Sequence, residues 1–315
     1  MRKFISLALN TAREIMRQPV VALIASACVV TIGVMPVVAV FSLGQEMRIV
    51  RDGAAAASLV YGLFLVAASS IAAIYRQIKT GTAGAILCKP VSREMFFAAT
   101  FAGIVLACLV FTATTICAGM ISVRMALEGI HTDWWVGAVL AAALILAFAA
   151  AGVLNYMGRN FCAALNQALL ISMLAAVLVT ACLAPGGRLA EFGMLMPWQM
   201  LSSGLLIFMA LAMLAAMAVA FSTRLPPVAV LFCCFFVLVL GLVSDYLLTV
   251  MAGRPVLSML CACLLPNWQF FWVYGGSQAE CGLNAAYLLK AGAYAALYTA
   301  GILCLGFISF RKTDV

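Results

Sequence analysis

The sequence predicts an all-α, polytopic membrane bundle of about eight transmembrane helices preceded by an amphipathic interfacial helix, and three observations carry that prediction. The 315 residues are 67% apolar and only 9% charged, with a mean hydropathy of +1.18, and a soluble globule cannot cover its surface from so small a polar share. The apolar residues form continuous runs of about 20, the length a helix needs to cross a bilayer core. They do not show the alternation of an outer-membrane barrel. Lys and Arg, finally, fall unevenly among the turns that join those runs, as the topology of a multi-pass protein requires.

The first element is residues 1–18. Phe4, Ile5, Ala8, Leu9, Ala12, Ile15 and Met16 recur at helical spacing on one face, with Leu7 as the exception. A helix of this pattern lies in the membrane interface, in contact with lipid. A cleaved signal peptide is disfavoured, because the apolar run that follows is longer than a signal h-region and the small-x-small triplet at 25–27 falls inside it.

The remainder, 19–315, reads as a single transmembrane domain. Its spans are predicted at 19–43, 54–75, 96–123, 135–156, 165–183, 200–221, 226–250 and 285–310. Pro36 should kink the first. Asn155, Asn160, Asn166 and Gln167 cluster around the turn between the fourth and fifth. Asp245 is the one acid inside a predicted span; it sits about a turn and a half from the outer end, which leaves interface exposure and a place on a transport pathway both open. Residues 251–284 are too apolar for an ordinary loop and are broken by Pro255, Pro266, Gly275 and Gly276. They are expected to dip into the outer leaflet, with non-helical backbone buried against protein.

Orientation follows from charge. An N-terminus on the inside places twelve of the eighteen Lys and Arg residues in inner turns and tails, and the other six outside beside six acids. Both termini are then cytoplasmic. Trp134, Trp135, Trp198, Trp268 and Trp272 all fall at or beside predicted outer ends, where amphipathic rings anchor at headgroup level. The net charge of +8 is on this reading a topology signal, not a nucleic-acid footprint.

Chemistry-bearing motifs are scarce. No GxxxxGK[ST], HExxH or nucleophile elbow is present, and the sole histidine, His131, reads as a solvated loop residue. No catalytic, cofactor or metal site is expected in the chain. Of twelve cysteines, Cys28, Cys108, Cys117, Cys182, Cys233, Cys234 and Cys304 lie within spans and pack as small apolar groups. Only Cys261, Cys263 and Cys281 share the outer side, which leaves free thiols or a disulfide from Cys281 to one of the other two.

One stretch interrupts the hydrophobic text with internal order. In residues 76–95 and just beyond, "RQIKTGTAGAILCKPVSREMFF", Gly81 and Gly84 break any continuing helix, and Thr82 can cap a short one through Ile86 and Leu87. Pro90 stops it, and Ser92 is a good N-cap for the next span, with Glu94 in the positive first turn.

This stretch, with the amphipathic helix and two spans before it, resembles the membrane subunit of type-2 ATP-binding-cassette (ABC) exporters, through "GTAGAILCKPVSREMFFAATFAG". Further along, "AVAFSTRLPPVAVLF" is similar to that family's short basic inner turn, "LLPNWQFF" to its outer segment, and "FISFRKTDV" to its terminal tail. The resemblance implies a permease in the bacterial cytoplasmic membrane that pairs with a second permease subunit and with separate ABC ATPase subunits, which bind the ATP. It further implies that Thr82, Gly84, Ile86, Leu87, Lys89, Pro90 and Arg93 form the cytoplasmic loop that couples to the ATPase. Departures are Thr100, where relatives often carry lysine, Lys79, where they often carry an acid, and eight spans in place of six. An ion-coupled secondary transporter, and a polytopic enzyme or sensor anchor, are the alternative readings.

Overall fold

Apolar runs with little Gly or Pro punctuation become helices, and among the described residues of the computed structural model no strand occurs. The described residues are 1–39, 45–80, 92–126, 132–188, 191–244, 246, 249, 265–272 and 285–311. In chain order the helices are α1 (Arg2–Met16), α2 (Pro19–Val38) and α3 (Glu46–Ser70), which continues through a π-helical turn (Ile71–Tyr75) into α4 (Arg76–Lys79). There follow α5 (Arg93–Met125), α6 (Trp134–Tyr156), α7 (Phe161–Ala181), α8 (Gln199–Ser222) and α9 (Pro227–Leu242). A 3-10 turn (Trp268–Phe271) precedes α10 (Ala285–Arg311).

Seven helices among the described residues are long and apolar enough to cross a membrane: α2, the α3–α4 rod, α5, α6, α7, α8 and α10. The chain is therefore an all-helical protein with the spans of a multi-pass membrane protein. The predicted seventh span appears as the shorter α9, 16 residues long. The rod, at 34 residues, begins eight residues before the expected 54, because Glu46 sits in its first turn and Arg48, Arg51 and Asp52 ride on the helix. An acid there meets the positive end of the dipole. Hydropathy marks the apolar centre of a span and misses polar turns added outside it.

Helix ends follow local chemistry. Pro19 opens α2, where its missing N–H costs nothing. Gly158, at φ +85°, ends α6: its N–H bonds to Asn155 O at 2.9 Å and that of Arg159 to Leu154 O at 3.0 Å, the two bonds of a Schellman turn. Asn160 then caps α7 by accepting from the Ala163 N–H at 3.1 Å. Two of the polar residues clustered at this turn thus have local tasks, since Gln167 also accepts from Arg159 at 3.5 Å. Asn166 reaches further. Buried in α7, it donates to Met16 O at 3.1 Å and so satisfies a carbonyl at the C-terminal end of α1.

Close packing divides the chain into two compact units. One comprises Met1–Thr11, Val66–Val105 and Leu206–Val315, the other Ala12–Leu65 and Leu106–Leu205. In the first, α1 lies tight against α5 at Gly103, where a β-carbon would meet Thr11 Cβ at 2.7 Å and Ala8 O at 2.8 Å. Ala8, Thr11 and Ile15 are the buried positions of α1, while Ile5 and Leu9 stay exposed. Leu7, the exception to the single apolar face, is half-buried beside Ala8. The helix has two apolar stripes, one against protein and one free, and a single-face reading could not separate them.

In the second unit, α2 passes through Pro36 without ending. Pro36 has no N–H to give to Ile32 O four residues back. Ser122 of α5, fully buried, donates to that carbonyl instead at 2.7 Å. In a membrane span the freed group needs such a partner, because the bilayer core offers no water.

Candidate functional site

The polar stretch singled out in the sequence is bracketed by two structured legs, both in the first unit. The leading leg is the lower part of the α3–α4 rod. Its hydrogen-bonding changes from α to π over Ile71–Tyr75, with Ala72, Ala73 and Ile74 buried. Single π turns inside α-helices are frequent at functional sites, since each inserts a residue and loosens the ladder. Ser70, at the junction, donates to Ala67 O at 3.0 Å. The next-door hydroxyl of Ser69 is buried with no hydrogen-bond partner, so the rod is under-satisfied where its pitch changes.

The trailing leg begins at Ser92, which accepts from the Met95 N–H at 3.2 Å. This is the N-cap expected from sequence, with Glu94 in the first turn. Behind it Phe96 and Phe97, both buried, stack on Phe310 of α10 with ring centroids 6.1 and 5.8 Å apart. Arg93 donates from Nη1 to Arg311 O at 3.4 Å, across the C-terminal end of α10. A cation there is favoured by the negative end of the helix dipole.

The turn between α8 and α9 meets the same elements. Ser222 Oγ donates to Ser70 Oγ at 3.2 Å, and both residues are fully buried. Thr223 gives its own hydroxyl proton to Ala220 O at 2.7 Å, so the 3.2 Å contact between Thr223 Oγ1 and Ser309 Oγ is donated by Ser309. Arg224 then clasps Ser309 twice, from Nε to Oγ and from Nη2 to the backbone carbonyl, each at 3.2 Å. Gly306, one turn earlier on α10, admits the neighbour closely: a β-carbon there would meet Ala220 Cβ at 2.9 Å and the Phe97 ring at 3.0 Å.

Of the residues expected to couple to an ATPase, Arg93 is thus placed on α10, while Thr82, Gly84, Ile86, Leu87, Lys89 and Pro90 lie outside the described residues. So do Asp245, His131, Cys261, Cys263 and Cys281. Thr100, which departs from the family pattern, is buried and bonded to Phe96 O at 2.9 Å. The sequence reading passed over Ser70, Ser222, Thr223, Arg224 and Ser309. The available signal was that Ser222, Thr223 and Ser309 stand within two residues of Arg224 or Arg311.

A second polar centre occurs in the other unit. Arg124, in the last turn of α5, is fully buried, with Nη1 3.7 Å from Asp133 Oδ2 and Nη2 donating to Leu183 O at 3.0 Å. Asp133 also caps α6 through the Trp135 N–H at 3.2 Å, and its own N–H closes the turn on Met125 O at 3.0 Å. By sequence both belong to the six cations and six acids assigned to the outside; the chain buries them, where each charge requires the other. Among the described residues these are the only buried charged side chains. An apolar cleft of about 430 Å³ opens between α2 and α6, lined by Val30, Val34, Val37, Met125, Trp134 and Leu144 among others.

No group of His, Cys, Asp and Glu suited to a metal ion occurs among the described residues. No protein-family model matches the chain, and no curated protein matches it. The resemblance to type-2 ABC exporters therefore rests on the motifs themselves.

Proposed function

We propose that this chain is the membrane-spanning subunit of an ABC exporter, moving its substrate with ATP hydrolysed by a separate ATPase that docks on the loop at 76–95. The observation that carries this reading is the "GTAGAILCKPVSR" stretch set between two unusually long helices. The α3–α4 rod has 34 residues and α5 has 33, so each measures about 50 Å, well beyond the roughly 30 Å of a hydrocarbon core. At the end of the rod beside that stretch, Arg76 and Lys79 lie past the expected apolar run, which supports an exit from the bilayer there. The chain has eight spans, the seventh opening at Pro227, with α1 in the interface and both termini in the cytoplasm of a bacterial cell. Two such subunits pair, and the chain by itself hydrolyses no ATP because it has no phosphate-binding loop. An ion-coupled carrier sets several ionisable groups along its path. Here the only buried charges among the described residues are Arg124 and Asp133, and they face each other.

Ile86 and Leu87 are the apolar anchors a short helix offers to a groove, and buried apolar anchors outweigh rim charges such as Lys89. The test is co-purification of the full chain with the ABC-type ATPase encoded nearest to it. Ile86→Asp with Leu87→Asp should leave the chain inserted and monodisperse yet release the ATPase, and Lys89→Ala should retain it. An inserted double variant that keeps a full complement of ATPase would overturn the docking assignment.

A further inference from the structure

We propose that Arg224, Thr223 and Ser309 form a mechanical joint that ties the last span, α10, to both legs of the docking stretch, so that work done at that stretch moves α10 together with α3 and α5. This rests on the coupling function proposed above and adds to it the element that receives the motion.

The geometry points to a joint because one short turn reaches three helices. Ser222 holds the leading leg at Ser70, one residue before the π turn. Thr223 and Arg224 hold α10 at Ser309 through three contacts of 3.2 Å. Arg93 and the stack of Phe96 and Phe97 on Phe310 hold the trailing leg against the same end of α10. An Arg forked onto a hydroxyl and a carbonyl of one residue fixes direction as well as distance, which a lone ammonium does not. At Gly306 α10 packs closely on Ala220 of α8 and on Phe97. The π turn and the unpartnered Ser69 hydroxyl lie on the leading leg, directly beside the bonded Ser70. A displacement of the leg there is passed on by the turn through the Ser222–Ser70 bond.

The joint can be separated from docking, because its residues are not the apolar anchors of the loop. The test uses the full chain with its ATPase, on a background without native cysteines, carrying a spin label at Lys290→Cys on α10 or at Leu109→Cys on α5. Both positions are exposed. In the parent, trapping ATP with vanadate should change the label environment at both. In Arg224→Ala with Ser309→Ala, the ATPase should remain bound and the response at 109 should persist, while the response at 290 is lost. Arg224→Lys, which keeps the charge and loses the fork, should give an intermediate response, and this rescue guards against simple misfolding. A parent without a response at 290, or a variant that responds there like the parent, overturns the joint. Failure of the parent to retain any ATPase overturns the docking reading itself, and the joint falls with it.

Discussion

Single residues in this protein carry more than their types suggest. Pro36 lies inside α2, and the carbonyl it abandons on Ile32 is met by Ser122 at 2.7 Å. Removing that hydroxyl leaves a buried acceptor without a donor, at a cost of about 1–3 kcal/mol. We therefore expect Ser122→Ala to lower the unfolding temperature of the detergent-solubilised chain, and Pro36→Ala to restore it in the same background, because the new N–H bonds Ile32 O from within the helix. A Pro36→Ala change that lowers stability further in the Ser122→Ala chain would show that the hydroxyl does not act as the missing donor. The proline was legible in the sequence, and so was the disturbance it causes. Its remedy was not, since nothing in a linear string marks which of many span hydroxyls stands 86 residues away. Arg124 and Asp133 teach the same lesson with opposite sign: in the sequence they count only as outside charges flanking a short loop, but the turn closes through Asp133 N–H to Met125 O and buries both.

At the scale of elements, the sequence was most informative where one chemical rule decides. Ser92 caps α5, Asn160 caps α7 and Pro19 opens α2, each a local matter of backbone groups needing partners. Elements defined by their neighbours were harder. The five tryptophans were read together as interface anchors, and Trp134, Trp135 and Trp198 are indeed exposed at helix starts, but Trp268 is only 2% exposed. It sits in a notch of α9 at Gly241 and donates from Nε1 to Val237 O at 3.3 Å. Around it the non-helical backbone is satisfied by α10: Tyr294 Oη accepts from the Asn267 N–H at 3.0 Å, and Tyr287 Oη donates to Phe270 O at 2.6 Å. A β-carbon on Gly241 would overlap the Trp268 ring and the Pro266 carbonyl. Gly241→Ala should thus expel the indole, with an overpacking cost of about 1–3 kcal/mol. In a chain whose other four tryptophans are phenylalanine, acrylamide quenching of Trp268 should rise sharply on this substitution. Quenching that stays at the parent level would mean that the outer segment is not seated in the notch.

For the whole molecule, the strongest statement the sequence makes is about direction, and it is statistical where the structural statements are geometric. Seven apolar helices establish spans without saying which end faces which compartment. The proposed sign comes from charge: Arg93, Arg159, Arg224 and Arg311 are among the twelve of eighteen cations that the sequence reading assigns to the cytoplasm. The docking stretch and its joint are accessible to an ATPase only if this sign is right, so topology is the premise on which the functional reading stands or falls. Arg159 and Arg188 are the convenient reporters, since both are exposed and they lie in the turns at opposite ends of α7. On a cysteine-free background in intact cells, Arg188→Cys should react with a membrane-impermeant maleimide from outside, and Arg159→Cys should react only after the membrane is opened. Each substitution removes one cation, and the remaining inner excess, eleven against six or twelve against five, preserves the bias that sets orientation. Reaction at 159 in intact cells with protection at 188 would invert the bundle, put the joint outside the cell, and leave the polar stretch with no cytoplasmic partner to meet.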